Sequence, residues 1–406
     1  MKFFVEKVAP ILKPSLKLTF RLLGVFEKTQ WLSKSELEEI QQEKLVKLCR
    51  HFGIKDVRDL DDLRTLPLTS KRNLIGWKPR NNVLGRKPIP QVTSGTTGEP
   101  FRFFSDSVEL AVKHALALRG WQWSGWRIGD RAVDFTIHDP PKFPKNIYHR
   151  LTGWLHLNAL KSKDVYEKHY AKIIRKFKPR LIRGYPSFLA ELADFLNVDS
   201  KISAIVHGEP PQPYMSKLLK AFEVYNSYGL SECRAIAFEC EHHNLHVAVE
   251  GCIVEEVNGE IVVTNLDNYV QPFIRYRTGD LGKLIPGKCK CGRELPVLSP
   301  IIGRTYETYR SPTGRIIHPF YFGLLMEKYI KYVREYQALI YPEENIIEIK
   351  VVPKQKHVMG KVKLDFIEKL FGMKAKLTIV DSIEREVSGK KLLIKIVRER
   401  SRHSST

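Results

Sequence analysis

The sequence predicts an α/β protein in two parts: a large amino-terminal domain with a mostly parallel sheet and a β-rich end, then a small α+β carboxy-terminal domain. Three observations carry this. Helical and strand patterns alternate from Ala111 to Ser227, as a parallel sheet with crossover helices requires. From Val247 the pattern changes to short strands, with Asn258-Gly259 between two of them as a hairpin signal. Beyond Arg304 a compact helix–strand mixture follows. At 406 residues the chain can bury a large core and divide into two unequal domains.

The elements follow in order. Lys7 to Phe26 mixes Lys13, Lys17 and Arg21 with Ile11, Leu12, Leu16, Leu18 and Leu22. Packing against the large domain is the favoured reading and a weak peripheral membrane contact the alternative; Pro10 and Pro14 argue against one long helix. Ser33-x-x-Glu36 is a capping box opening a helix through Leu48, with Leu37, Ile40, Leu45 and Leu48 on its apolar face. Helices are expected at Ala111–Trp123, Tyr166–Phe177, Ser187–Leu196 and Met215–Phe222. Strands are expected at Ala132–Ile137, Arg180–Gly184, Ile202–Val206 and Val224–Ser227, then at Ile253–Val257, Glu260–Thr264 and Phe273–Tyr276. The carboxy-terminal part should hold helices Phe320–Ile330 and Val362–Phe371 and strands Gln337–Tyr341, Ile346–Val352 and Ala375–Val380.

Hydrophobic content of 43% and a charged fraction of 28% describe an ordinary globular chain. No run of eighteen apolar residues occurs, which gives no basis for a spanning helix. Charges interrupt Met1-Lys2-Phe3-Phe4-Val5-Glu6-Lys7 too early for a signal peptide, so the expected location is cytoplasmic. The formal net charge of +22 admits nucleic acid, an anionic membrane or anionic small substrates as partners. The basic residues are scattered and no nucleic-acid-binding signature accompanies them, so no nucleic acid is expected. A homodimer is compatible with the sequence.

Ser94-Gly95-Thr96-Thr97-Gly98 follows a short apolar lead-in and precedes the aromatic run Phe101 to Phe104. Two glycines let the backbone turn so that N–H groups converge, and three hydroxyls add donors without bulk, which suits a polyphosphate. No Lys follows Gly98, so this is not the Gly-x4-Gly-Lys loop. Tyr228-Gly229-Leu230-Ser231-Glu232, Arg275-Tyr276-Arg277-Thr278-Gly279-Asp280, Gly303-Arg304 and Ser388-Gly389-Lys390 come after it in that order. In these motifs the chain resembles the adenylate-forming (acyl-CoA ligase) superfamily. Within that superfamily it is most similar to the phenylacetate–CoA ligase-like branch, which includes capsule-biosynthesis-associated relatives. The resemblance runs from about Trp31 to about Val397.

That resemblance implies an ATP-dependent, AMP-forming ligase that activates a carboxylic acid and passes the acyl group to CoA. It implies a large domain of residues 1–303, with a helical segment of about 1–60 and a β-rich, zinc-containing part of about 233–300. Residues 304–406 would form a mobile lid. Ser94, Gly95, Thr96, Thr97 and Gly98 would hold the phosphates; Gly208, Glu209 and Pro210 would line the adenine pocket. Tyr228 would offer a flat face to the purine, Gly229 a close approach, and Glu232 an oxygen to Mg²⁺. Asp280 would accept from the ribose hydroxyls, and Arg304 would face the nucleotide. Lys390 would reach the α-phosphate and carboxylate during adenylation, with Lys391 as its rival. Tyr306 and Glu307 stand where most relatives carry Asp or Lys, which bears on the second half-reaction. An adenylyltransferase, an amide-forming ligase and a non-catalytic binding protein are the alternatives.

Six cysteines in a cytoplasmic setting suggest thiols or a metal. Cys240-x5-His246 and Cys289-x-Cys291 supply a closed Cys3His set for structural Zn²⁺. Cys233 and Cys252 are spare candidates, and His242 or His243 could replace His246. Cys49 reads as core. The acid is expected near Trp121, Trp123 and Trp126, with Tyr185, Pro186 and His207 as its contacts.

Overall fold

The computed structural model describes residues 14–79, 85–93, 101–136, 153–159, 161, 163–196, 201–208, 215–301, 309–317, 319–326, 329, 332–354, 364–384 and 392–397. The chain divides into two compact units. One comprises Met1–Gln91, Arg102–Ala159 and Tyr166–Arg304; the other comprises Val92–Phe101, Leu160–Val165 and Thr305–Thr406.

The first unit opens with a helix, Pro14–Thr29, that starts at a proline and buries Thr19, Leu23 and Phe26. Proline suits the first turn, where its missing N–H has no helical partner. The next helix, Lys34–His51, carries the expected capping box: Ser33 Oγ accepts from the Glu36 N–H, and Glu36 accepts from the Ser33 N–H at 2.8 Å. Its Leu45, Leu48 and Cys49 pack with Val57, Leu63, Ile253, Leu266 and Ile274, so Cys49 is a core residue.

Strands β1 (Ile89–Thr93) and β2 (Phe101–Ser105) flank the glycine/hydroxyl loop, and the long helix Ser107–Gln122 follows. The parallel strands are β3 (Ala132–Thr136), β4 (Trp154–Asn158), β5 (Leu181–Gly184), β6 (Ile202–Val206) and β7 (Phe222–Tyr228). Short antiparallel strands extend them: β8 (Ala237–Glu239) and β9 (Leu245–Val247). A separate antiparallel trio is formed by β10 (Cys252–Val257), β11 (Glu260–Asn265) and β12 (Tyr276–Leu281). With β13 (Leu284–Ile285) and β14 (Val297–Leu298), the main sheet has nine strands in the order β13-β14-β9-β8-β7-β6-β5-β3-β4. Its apolar floor joins Trp126, Ala132, Leu181, Ile205 and Tyr225.

In the second unit β15 (Tyr309–Arg310) pairs β16 (Ile316–Ile317). A four-stranded sheet, ordered β19-β18-β17-β20, is built from β17 (Val333–Tyr341), β18 (Ile346–Pro353), β19 (Lys374–Ile379) and β20 (Ile394–Ile396). Helices Pro319–Met326 and Asp365–Phe371 belong to the same unit. Among the described residues no helix is long and apolar enough to cross a membrane.

Two expectations are corrected and one strand is new. The strand expected at Phe273–Tyr276 begins only at Tyr276, because Arg275 has a φ of 47°, which interrupts extended backbone. The helix expected from Tyr166 opens with a π-helical turn, Tyr166–Tyr170; both tyrosines are buried and donate to the Ala159 and Asn158 carbonyls. Strand β4 was not anticipated, since its His and Trp residues blur the apolar run. The hairpin signal holds: Asn258 and Gly259 both have positive φ (52° and 78°), joining β10 to β11 as a primed turn needs.

The long helix meets the sheet at Gly120, where a Cβ would fall 2.2 Å from Phe238 Cγ. Gly120→Ala should therefore lower the unfolding free energy by about 1–3 kcal/mol, although Ala is the better helix former. Urea denaturation would show this as a lower midpoint with an unchanged slope.

Candidate active site and metal cluster

Parallel strands present ligand-binding groups at their carboxy-terminal ends. Tyr228 closes β7, and its hydroxyl donates to Asp280 Oδ2 on β12 at 2.9 Å. Burial, together with the Asp280 charge, pushes the Tyr228 hydroxyl well above its usual range, so it stays a donor. Asp280 is oriented from below: its N–H donates to Thr278 Oγ1 at 3.0 Å, and that hydroxyl donates to the Ile261 carbonyl at 2.7 Å.

Glu232 lies in the connection from β7 to β8. Tyr276 Oη donates to its Oε1 at 3.3 Å, and burial raises the carboxyl above its ordinary range. Gly229 makes this loop possible, since a Cβ there would stand 3.0 Å from the Ala235 nitrogen. The close approach is thus to the protein's own backbone. Gly208 lies two residues past the end of β6, with a φ of 77°. Ser94, Gly95, Thr96, Thr97, Gly98, Glu209, Pro210, Arg304 and Lys390 lie outside the described residues, as do Lys391, Tyr306 and Glu307.

The arginine that begins the Arg-Tyr-Arg-Thr-Gly-Asp motif is structural. Arg275 pairs with Glu255 at 3.0 Å and donates through Nη1 to the Arg64 and Leu66 carbonyls. Arg277 binds Glu260 at 2.6 Å, and the same carboxylate accepts from the Gly279 N–H at 2.8 Å.

Tyr185 follows β5 and His207 follows β6; their ring centroids are 4.9 Å apart, and Pro186 starts the helix Pro186–Ala193. Beneath them runs a row of side chains that the sequence did not single out. His156, Asp134 and Arg183 are in register on β4, β3 and β5, with His156 Nδ1 3.4 Å and Arg183 Nη1 3.5 Å from Asp134. The Arg183 guanidinium lies 3.8 Å over the Trp121 ring. Burial would raise the Asp134 carboxyl, but Arg183, His156 and His207 outweigh it and hold it at about 2. The three tryptophans do not form one wall. Trp126 is core, Trp121 covers Arg183, and Trp123 turns away to donate to Gln30 at 2.8 Å.

Cys240, His246, Cys289 and Cys291 place their ligand atoms within 4.8 Å of one another. Cys240 and Cys289 sulfurs are 3.7 Å apart, and Cys291 Sγ is 3.3 Å from His246 Nε2. Tetrahedral zinc with Zn–S bonds of about 2.3 Å sets sulfurs about 3.8 Å apart, so the donor set fits that ion. His246 Nδ1 meets the Leu295 carbonyl at 2.9 Å, which assigns the proton there and leaves Nε2 to ligate. Cys233 and Cys252 are buried elsewhere, and His243 pairs with Glu223 and Glu239. None of the six cysteines is in a disulfide.

No family model matches the sequence. The chain is 26% identical over 328 residues to the phenylacetate–coenzyme A ligase of Thermus thermophilus, covering 68% of this chain and 72% of that protein. It is 26% identical to the phenylacetate–coenzyme A ligase of Aromatoleum evansii over an alignment of 439 positions, covering 90% and 96%. The crystal structure of a 2-hydroxyisobutyryl-CoA ligase, bound to 2-HIB-AMP and CoA in its thioesterification state, superposes with a TM-score of 0.59. That match has 18% identity and covers 91% of this chain and 92% of the other, which shows a shared fold.

Burial, aided by Arg183 and opposed by Asp134, lowers His207 from 6.5 to about 4. The neutral ring is thus favoured by folding, and its contribution is present above pH 6.5 and lost as pH falls toward 4. In His207→Gln the fall in unfolding free energy across that window should shrink, by up to about 3 kcal/mol. Urea titrations at successive pH values measure it; an unchanged profile would exclude His207 as its source.

Proposed function

We propose, from its similarity to phenylacetate–CoA ligases and the fold it shares with a CoA ligase, that the chain is an ATP-dependent, AMP-forming ligase of the adenylate-forming kind. It would activate a carboxylic acid as its acyl-adenylate and pass the acyl group to CoA. The observation that carries this reading is that β12 bonds both candidate residues of the β7 end: Asp280 accepts from Tyr228, and Tyr276 donates to Glu232.

The chemistry is in-line attack of the carboxylate on the α-phosphorus, with pyrophosphate leaving. The protein has little covalent work to do beyond positioning and neutralising charge. Asp280, aligned by Thr278 and Tyr228, would accept from the ribose, while the Tyr228 ring, held by its own hydroxyl bond, would present one fixed face to the purine. Glu232 would hold Mg²⁺, which when bound neutralises phosphate charge. The loop Ser94 to Gly98 would cradle the phosphates, Gly208, Glu209 and Pro210 the adenine, and Arg304 the nucleotide. Lys390 would stabilise charge growing on the α-phosphate and the attacking carboxylate. Tyr185, Pro186 and His207 would line the acid's pocket. Neutral His207 adds a hydrogen-bonding edge there without a charge, a feature compatible with an uncharged or flat acyl group. CoA sulfur would then attack the acyl carbonyl and expel AMP.

The test is pyrophosphate release with ATP, Mg²⁺ and a panel of aryl and aliphatic acids, with and without CoA. Acid-dependent release should fall by at least about a hundredfold in kcat in Lys390→Ala, with ATP still bound. Turnover accelerated by CoA supports the ligase. Release indifferent to CoA would instead favour an amine acceptor or adenylyl transfer, and ATP binding without release on any acid would favour a binding protein.

Cys240, His246, Cys289 and Cys291 would hold structural Zn²⁺. The purified protein should contain one zinc per chain by elemental analysis. Cys289→Ser should lose it and unfold at lower temperature. Zinc-free protein that keeps its full thermal midpoint would refute the assignment.

A further inference from the structure

We propose that Glu109, Lys113 and Asn265 are positioning residues for the metal-bearing carboxylate of Glu232, an inference that rests on reading Glu232 as the Mg²⁺ ligand. Glu109 and Lys113 are one turn apart on the helix Ser107–Gln122 and therefore share a face. They form an ion pair whose side chains are only 1% and 7% exposed. Asn265, the last residue of β11, is also buried.

These side chains converge on one acceptor. The Glu232 carbonyl receives Lys113 Nζ at 3.2 Å and Asn265 Nδ2 at 3.4 Å. Glu109 organises both donors: its Oε1 accepts from Lys113 and from Asn265 Nδ2 at 2.7 Å, and its Oε2 accepts from Ser105. From the other direction Tyr276 holds the Glu232 carboxylate. The residue is thus gripped at the backbone by the long helix and β11, and at the side chain by β12.

A loop carboxylate that ligates a cation has to present its oxygen within tenths of an ångström, and the groups orienting it govern affinity. A buried ion pair is poor value as a stabilising device, because an apolar pair of similar volume often serves as well. Orientation of Glu232 gives this one a purpose that packing alone does not. A purely structural network would change stability and leave the cation's affinity alone.

The probe is Mn²⁺ titrated into protein saturated with a non-hydrolysable ATP analogue, read by water proton relaxation, which needs no knowledge of the acid. Asn265→Leu should weaken Mn²⁺ by about tenfold. The double variant Glu109→Gln/Lys113→Met removes both charges together, leaving no orphaned ion, and should do the same with its thermal midpoint near the wild type. Lys113→Arg should restore most of the affinity. Glu232→Gln is the control. If it weakens Mn²⁺ while Asn265→Leu and the double variant bind as the wild type does, the positioning role is overturned. If Glu232→Gln itself leaves Mn²⁺ binding unchanged, the ligand reading falls and the proposal with it.

Discussion

The candidate site depends on a single joint between two sheets of different kind. Tyr228 ends a parallel strand and Asp280 lies on an antiparallel one, and their 2.9 Å bond exists only if β12 is set at one height. Arg275 sets it. Its backbone leaves the extended region just before β12, and its guanidinium reaches Glu255 on β10 and two carbonyls near the short helix Leu60–Thr65. The backbone is tied in beside it, since Thr69 and Arg275 to Arg277 exchange hydrogen bonds of 2.8 and 2.9 Å. Arg275→Ala would leave the largely covered Glu255 carboxylate without this partner, a costlier loss than a surface bond.

Charge is gathered at two further places in this unit, and in each case it is matched. Asp134 is met by Arg183 and His156; Glu109 is met by Lys113, Ser105 and Asn265. An isolated ion at these depths would neutralise or drive the chain open, whereas a matched set costs far less. The arrangement also leaves His207 neutral, so the rim formed by β5 and β6 offers hydrogen bonding without net charge. Of the three tryptophans expected near the acid, Trp121 and Trp126 pack against each other, while Trp123 turns to Gln30. Trp121 and Trp123 are two residues apart at a helix end and so face different neighbours.

The Cys3His cluster sits where the sheet is weakest. Strands β8 and β9 are three residues long and β14 is two, too short to hold an edge by ladder bonds alone. Cys240 follows β8, His246 lies on β9, and Cys289 and Cys291 lie in the loop between β13 and β14. A shared ion, as proposed above, would join these three segments into one piece, close in sequence to the strand that carries Asp280.

The sequence by itself determined the alternation of helix and strand, the capping box, the Asn258-Gly259 turn and the cysteine and histidine that cluster. These are local: they follow from periodicity, turn chemistry and ligand type within a few residues. The resemblance to adenylate-forming ligases was legible too, because the motifs that carry it are short contiguous strings. What only the tertiary structure decided were relations between distant residues. That Asn265 and Lys113 share the Glu232 carbonyl, that His156, Asp134 and Arg183 form one row, and that Arg275 is a strut are facts of register and packing. Strand pairing and helix placement are set by the burial of the whole apolar surface at once, and no local pattern records which side chains that burial brings together.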